Sequence, residues 1–219
     1  MSARDQVLVF DMDGVLVDVT DSYRETIIRT VEHFTGKTIT RGQIQDYKNQ
    51  GGWNNDWALS QKICRDLGVE LPYATVVEYF NHLFLDQGMI HRERWLPRDG
   101  LLDRLGEKFE LAIFTGRTTE EAEITLNREG FRDRFLLLTA NDVECEKPAP
   151  EGLLKIAAMR PSKKLLYVGD TVDDARCARA ANVPFIGIVS PKHERRADIL
   201  ELFHLEGAIQ VLGDINEIG

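Results

Sequence analysis

The run Val7-Leu8-Val9-Phe10-Asp11-Met12-Asp13-Gly14-Val15-Leu16-Val17-Asp18 constrains the fold more than any other stretch of the chain. Four consecutive apolar residues describe a strand buried on both faces, as in a parallel sheet covered by helices. The carboxylates that follow then stand at the carboxyl end of that strand, where open α/β sheets place their ligands. Residues i and i+2 of an extended segment share a side, so Asp11 and Asp13 can face one ligand. Asp-Met-Asp-Gly is also an ordinary turn sequence, so the run acquires a functional meaning only from what lies at the other strand ends.

Beyond Asp18 the apolar period changes from strand to helix. Ser22-Tyr23-Arg24-Glu25 has the form of a capping box, and Tyr23, Ile27, Val31 and Phe34 recur at helical spacing until Gly36. Further helices are predicted over residues 40–49, over 55–67 with Trp57, Ile63, Cys64 and Leu67 buried, and from Pro72 with Val76, Val77, Phe80, Leu83 and Phe84 buried. Residues 18–94 therefore read as a helical bundle. From Leu101 strands and helices alternate, with strands predicted at 111–114, 136–138, 165–168, 185–189 and 209–212 and helices at 118–129, 150–159, 172–181 and 194–203. The expected architecture is an α/β core, residues 1–17 and 95–219, interrupted by a helical domain, residues 18–94.

Three further strand ends carry chemistry. Phe114-Thr115-Gly116-Arg117 follows the second strand, Lys147-Pro148 the third, and Gly169-Asp170-Thr171-Val172-Asp173-Asp174 the fourth. Acid, hydroxyl, lysine and acid pair in this order, each at a strand end, resemble the haloacid dehalogenase (HAD) superfamily in its phosphatase-like members, and the match spans essentially the whole chain. The resemblance implies a Rossmann-like, doubly wound, mainly parallel sheet with the first strand central, the 111 and 136 strands on one side and the 165, 185 and 209 strands on the other. It also makes residues 18–94 a helical cap of the kind found in phosphoglycolate phosphatase-like and β-phosphoglucomutase-like members.

By the same resemblance Asp11 is the nucleophile, forming an aspartyl phosphate that divides one difficult displacement into two easier ones. Asp13 is the general acid and then the base. Thr115 and the amide of Gly116 hold a phosphoryl oxygen, and Lys147 neutralises the nucleophile and the transferring group. So many carboxylates cannot accept a phosphate dianion without a cation, and Mg²⁺, a hard ion that prefers oxygen ligands, fits them. Its expected ligands are Asp11, the backbone carbonyl of Asp13, and Asp170. Asp174 matches the second acid of the family's Gly-Asp-x-x-x-Asp pattern and is expected to stand behind the ion's own ligands or to coordinate through water, with Asp173 as the alternative.

Substrate selection is assigned to the loop Lys48 to Trp57, in which Trp53, Asn54 and Asn55 offer indole and amide groups to a polar pocket; Trp57 is equally a bundle residue. Arg117 is a candidate for a distal anionic group of the substrate, or else a partner for Glu120 or Glu121. Asp13 argues against a dehalogenase, which has no alkoxide to protonate. A phosphosugar mutase uses the same residues, and a receiver module shares the acids and lysine but is shorter and has no place for Asp13.

Composition limits the partners. A formal net charge of -9 is wrong for nucleic acid, which calls for a basic face, but leaves a small phosphorylated metabolite open, because bound metal and local cations outweigh the global field. The N-terminal residues lack the apolar segment of a signal peptide and no window spans a membrane, so a cytoplasmic monomer or homodimer is expected. Cys64, Cys145 and Cys177 are too few and too scattered for a disulfide framework or zinc site.

Overall fold

The computed structural model describes residues 4–219; Met1, Ser2 and Ala3, on which part of the signal-peptide expectation rests, lie outside them. Six strands form one parallel sheet in the order β5-β4-β1-β6-β7-β8, namely β1 (Gln6–Phe10), β4 (Glu110–Phe114), β5 (Leu136–Leu138), β6 (Lys164–Gly169), β7 (Phe185–Ile188) and β8 (Gln210–Leu212). Strand β1 is central, in register with β4 through Leu8 and Leu111 and with β6 through Leu8 and Leu166. The connection from β1 leads to β4 on one side, and the chain returns to β6 on the other. That reversal beside β1 is a topological switch point, and the strand order is the one implied by the resemblance.

Burial on both faces explains why β1 is an unbroken apolar run. Val7 and Val9 join Ala112, Phe114, Leu153, Ile156, Tyr167 and Ala178 in one core, into which α7 (Glu151–Met159) and α8 (Val172–Ala180) pack. Phe114, Tyr167, Phe185 and Phe203 cross this core as a series of rings with centroids 6.5, 6.0 and 5.3 Å apart, the last contributed by α9 (Arg196–Leu205). On the opposite face Phe10 meets the edge of Phe135 at 6.2 Å.

Two helices complete this unit. Thr118 caps α6 (Thr119–Glu129) through a full capping box with Glu121. The other, α5 (Leu101–Lys108), is not foreseen by the sequence reading. It begins at Gly100, without a side-chain cap, and is held by the buried Leu101, Leu102 and Leu105. Packing rather than a start signal defines it.

The chain divides into two compact units, Met1–Val17 with Trp95–Gly219, and Asp18–Arg94. The passages between them run side by side as two-residue strands, β2 (Val17–Asp18) and β3 (Arg94–Trp95), and the Asp18 carboxylate accepts from both Thr20 N–H and the Arg94 guanidinium. Within the second unit lie α1 (Tyr23–Thr35), α2 (Arg41–Gln50), α3 (Asp56–Asp66) and α4 (Tyr73–Asn81), the last continued by a π turn, His82–Asp86. Tyr23, Phe80 and Phe84 stack at its centre, Tyr23 and Phe84 only 4.0 Å apart.

Local expectations need correction in this unit. Ser22 precedes α1, but its backbone (φ -111°, ψ -95°) lies outside the extended region from which a capping hydroxyl reaches the first turn. No capping bond forms, and the Ser22 hydroxyl is buried without a hydrogen-bond partner among the described residues. Thr40 makes the capping box instead, one helix later, with Gln43. In α3 the buried residues are Leu59, Ser60, Ile63 and Cys64, while Trp57 and Leu67, at its two ends, are half-buried. No helix among the described residues is long and apolar enough to cross a membrane.

Candidate active site

The parallel sheet brings its carboxyl ends to one edge, and the chemistry-bearing residues gather there. Asp11 continues β1, its N–H still donating to Val168 O at 2.8 Å as if the strand had not ended. Thr115 does the same at the end of β4, donating to Leu138 O at 3.1 Å. Asp170 directly follows β6, and Asp174 sits in the first turn of α8.

Lys147 is the hub. Its ammonium donates to Asp11 Oδ1 at 2.7 Å and to Asp174 Oδ1 at 2.8 Å, in a pocket that leaves all three side chains almost inaccessible. It also faces the rings of Phe114 and Tyr167, 5.1 and 5.7 Å from their centroids, where the ring quadrupoles favour a cation. A Lys-Pro sequence is ordinarily a solvated loop; here the lysine is the buried counter-charge of two carboxylates.

Asp174 is engaged on every side. Oδ1 accepts from Lys147 and from Tyr167 OH at 2.6 Å, while Oδ2 accepts from Thr171 Oγ1 at 2.6 Å and Thr171 N–H at 3.0 Å. The last bond is one half of the capping box of α8, whose other half is Asp174 N–H donating to Thr171 Oγ1 at 3.2 Å. Since a carboxylate offers about four lone-pair positions, direct coordination of an ion by Asp174 requires one of these donors to be displaced. The Asp174 carboxylate, rather than that of Asp173, joins those of Asp11 and Asp170 in a cluster whose ligand atoms lie within 4.8 Å of one another.

These charges are strongly coupled. Burial pushes the Asp11 carboxyl up to about 7, with Asp174 and Asp13 adding to the rise and Lys147 opposing it. Burial also works against ionised Asp174, but Lys147 and the hydroxyls of Thr171 and Tyr167 hold it below the usual carboxylate range. For Lys147 burial is likewise outweighed by the two carboxylates, which raise it above an ordinary lysine. Without a cation, the site therefore keeps Lys147 and Asp174 as its ion pair, and Asp11 carries the strain of the excess negative charge.

All three clustered groups are carboxylates, the donor set of a hard cation such as Mg²⁺. Two glycines permit the approach. A Cβ on Gly14 would lie 1.9 Å from Asp170 Oδ2, and Gly14 has φ +72° besides; a Cβ on Gly169 would lie 2.4 Å from Asp174 Cβ. Gly14→Ala is thus expected to destabilise the protein by about 1–3 kcal/mol and to weaken divalent-cation binding by displacing Asp170. Denaturation and Mg²⁺ titration of the same preparation check both effects, and unchanged affinity would show that the loop does not set the position of Asp170.

Thr115 does not cap the following helix, a task that falls to Thr118. Its Oγ1 accepts from Arg117 N–H at 3.2 Å, which leaves the hydroxyl proton able to donate. Gly116, between them, is half-buried. For Arg117 the sequence suggested a distal substrate anion, or Glu120 or Glu121. Burial raises the Glu121 carboxyl and the Arg117 charge acts against that rise, and the structure adds partners the sequence did not indicate: Nε and Nη2 both donate to Asp13 Oδ1, at 2.8 and 2.6 Å, and Nη1 donates to Thr125 Oγ1 at 2.9 Å. Tyr167, Thr171 and Thr125 are site residues that sequence reasoning missed. Only Thr171 had a legible signal, its capping spacing to Asp174.

The remaining candidates belong to the helical unit. Asn55 spends its side-chain oxygen on capping α3, accepting from Ala58 N–H at 3.0 Å. Trp53 stands edge-on to Tyr47 at 6.4 Å, and Asn54 is half-buried beside it. Trp57 is a packing residue of this unit, its indole donating to Asn81 Oδ1 at 3.0 Å and its ring meeting Phe80 at 6.3 Å.

A parallel sheet with a carboxylate cluster and a buried lysine at its switch point defines a class of α/β hydrolases. Residues 8–188 match the family of haloacid dehalogenase-like hydrolases, and the chain belongs to that family. It is similar to an imidazoleglycerol-phosphate dehydratase from Phytophthora nicotianae, 31% identical over 204 residues, which take in 88% of this chain but 45% of that one; the chain thus spans less than half the length of that relative. A phosphoglycolate phosphatase from Colwellia psychrerythraea is 26% identical over 192 residues, 84% of either chain. Among solved structures, a predicted phosphoglycolate phosphatase from Haemophilus somnus superimposes with a TM-score of 0.78 at 17% identity, covering 100% of this chain and 97% of that one. That likeness shows a shared fold.

Proposed function

We propose that this HAD-family phosphatase hydrolyses a small phosphate monoester through an aspartyl phosphate on Asp11, with Mg²⁺ as cofactor. The observation that carries the reading is the buried Asp11–Lys147–Asp174 bridge, closed by Asp170 and with Asp13 two residues from Asp11. Oδ1 of Asp11 is held by Lys147, so Oδ2 is the oxygen that attacks phosphorus. As the P–O bond to the leaving group breaks, Asp13 gives its proton to the departing alkoxide. It then takes a proton from the water that attacks the phosphoryl-aspartate, and Asp11 and inorganic phosphate are released. Thr115 Oγ1 and the Gly116 amide are assigned to the phosphoryl oxygens.

Asp11, Asp170 and the Asp13 carbonyl are the groups assigned to hold Mg²⁺, with Asp174 acting through water because its own oxygens are engaged. The bound ion supplies neutralisation of charge on the transferring group. Residues 18–94 are assigned the part of a cap, with substrate selection by Trp53 and Asn54 more than by Asn55, whose side chain is occupied as a helix cap.

The test is a panel of phosphate monoesters, sugar phosphates included, incubated with Mg²⁺ or with excess EDTA. Release of inorganic phosphate with Mg²⁺, lost with EDTA and restored by added Mg²⁺, is the expected result. Undiminished turnover in EDTA would refute the metal assignment. Formation of an isomeric sugar phosphate in place of inorganic phosphate would identify a mutase, and a long-lived phosphoprotein without turnover a receiver.

A further inference from the structure

We infer that Arg117 is a positioning residue for Asp13, fixing which carboxylate oxygen exchanges the proton during the reaction. The inference rests on the reading of Asp13 as the proton-transfer group and deepens it. Arg117 is buried, its side chain only 1% exposed against 31% for that of Asp13. A guanidinium so enclosed must be matched by acceptors, and two of its N–H groups converge on the single oxygen Asp13 Oδ1. Oδ1 is therefore committed to the protein, and Oδ2 is the oxygen directed to leaving group and water.

The guanidinium is itself fixed at its far end. Nη1 donates to Thr125 Oγ1, and Thr125, buried in α6, passes its own hydroxyl proton toward the Glu121 carbonyl at 3.5 Å. The Arg117 carbonyl meanwhile accepts from Ala140 N–H at 2.9 Å. Helix α6 and the loop after β5 thus hold a planar fork whose direction determines the Asp13 rotamer. A lysine could supply the charge but not this two-point geometry. Positional control of this kind matters because a misplacement of about 1 Å at a reacting group can reduce rate by about 10²-fold.

The experiment compares Mg²⁺-loaded wild type, Arg117→Gln, Thr125→Val and Thr125→Ser on an alkyl phosphate and on nitrophenyl phosphate, following the first turnover separately from the steady state. Acting through Asp13, Arg117→Gln should slow aspartyl-phosphate formation from the alkyl ester by about 10²-fold or more, within the range of a general acid. The nitrophenyl ester, whose leaving group scarcely needs a proton, should be slowed only a few-fold (about 3-fold) in that step. Thr125→Val should show the same pattern more weakly, and Thr125→Ser, which keeps the hydroxyl, should restore it. In an Asp13→Ala background Arg117→Gln should add almost nothing. Equal losses with both esters, or losses that multiply with Asp13→Ala, would overturn the inference.

A crystal structure of Arg117→Gln, or of Thr125→Val if the former does not fold, supplies a readout independent of turnover. The Asp13 carboxylate is expected to leave its position; finding it unmoved would refute the positioning role. Should the wild type release phosphate from no ester, the proposed activity fails, while the crystal structure still decides whether Arg117 places Asp13.

Discussion

Asp11→Asn is expected to abolish turnover, by a factor on the order of 10⁴ to 10⁶ as for other nucleophile replacements, while the fold survives. A neutral amide cannot form the aspartyl phosphate, yet its oxygen can still accept from Lys147, which keeps Asp174 as its counter-ion. Stability should also respond, with a sign set by Asp11. Its carboxyl rises to about 7 in the folded, metal-free protein against about 4 in an unfolded chain. Between those values the folded state binds the extra proton, so wild-type stability falls as pH climbs from about 4 to about 7. Asp11→Asn lacks this dependence, and its stability relative to wild type should improve across that window in EDTA. Phosphate release with denaturation at several pH values measures both effects. Near wild-type turnover would place the nucleophile elsewhere, and parallel stability curves would remove Asp11 from the buried charge cluster.

Lys147→Met should be the most damaging substitution for the fold among the site residues. Methionine fills much of the same volume between Phe114 and Tyr167 but removes the ammonium that bridges Asp11 Oδ1 and Asp174 Oδ1. Breaking a buried ion pair from one side costs about 3–5 kcal/mol, because the other charge is left uncompensated. Lys147→Met should therefore lower the denaturant midpoint in EDTA, and Mg²⁺ should recover part of the loss by neutralising the uncompensated carboxylates. Activity should fall by about 10²–10³-fold even where the variant is folded, the scale for losing one preorganised stabilising group. Unchanged stability would mean that Asp11 and Asp174 do not depend on the lysine for their burial.

Much of the fold was legible in the residues because it rests on local and periodic signals. The unbroken apolar run of Val7–Phe10 reports a strand covered on both sides, Thr118 and Glu121 announce a helix start at the correct spacing, and Gly36 and Gly130 end α1 and α6 in the left-handed conformation. Each is a statement about neighbours in sequence. Where packing decides, the residues were ambiguous: α5 has no polar cap to announce it, and Ser22 has the spacing of a capping box but not the backbone angles.

The acids, Thr115 and Lys147 could be named from their order along the chain: Asp11, Thr115 and Asp170 follow strands directly, and parallel strands bring their ends to one edge, while Lys147 lies in the loop after β5 and Asp174 in the first turn of α8. Their partners could not. Thr125 is eight residues from Arg117 and Asp13 is 104 away; no spacing rule connects them, and Arg117 was free in the sequence to pair with substrate, with Glu120 or with Glu121. Tyr167 lies within the strand predicted at 165–168, and no local signal ties its hydroxyl to Asp174. The sequence by itself thus determined which chemical groups stand at the edge of the sheet. Only the tertiary structure decided how those groups share charge and hydrogen bonds, because in a buried site each carboxylate's partner is set by which side chains the packed helices carry to it.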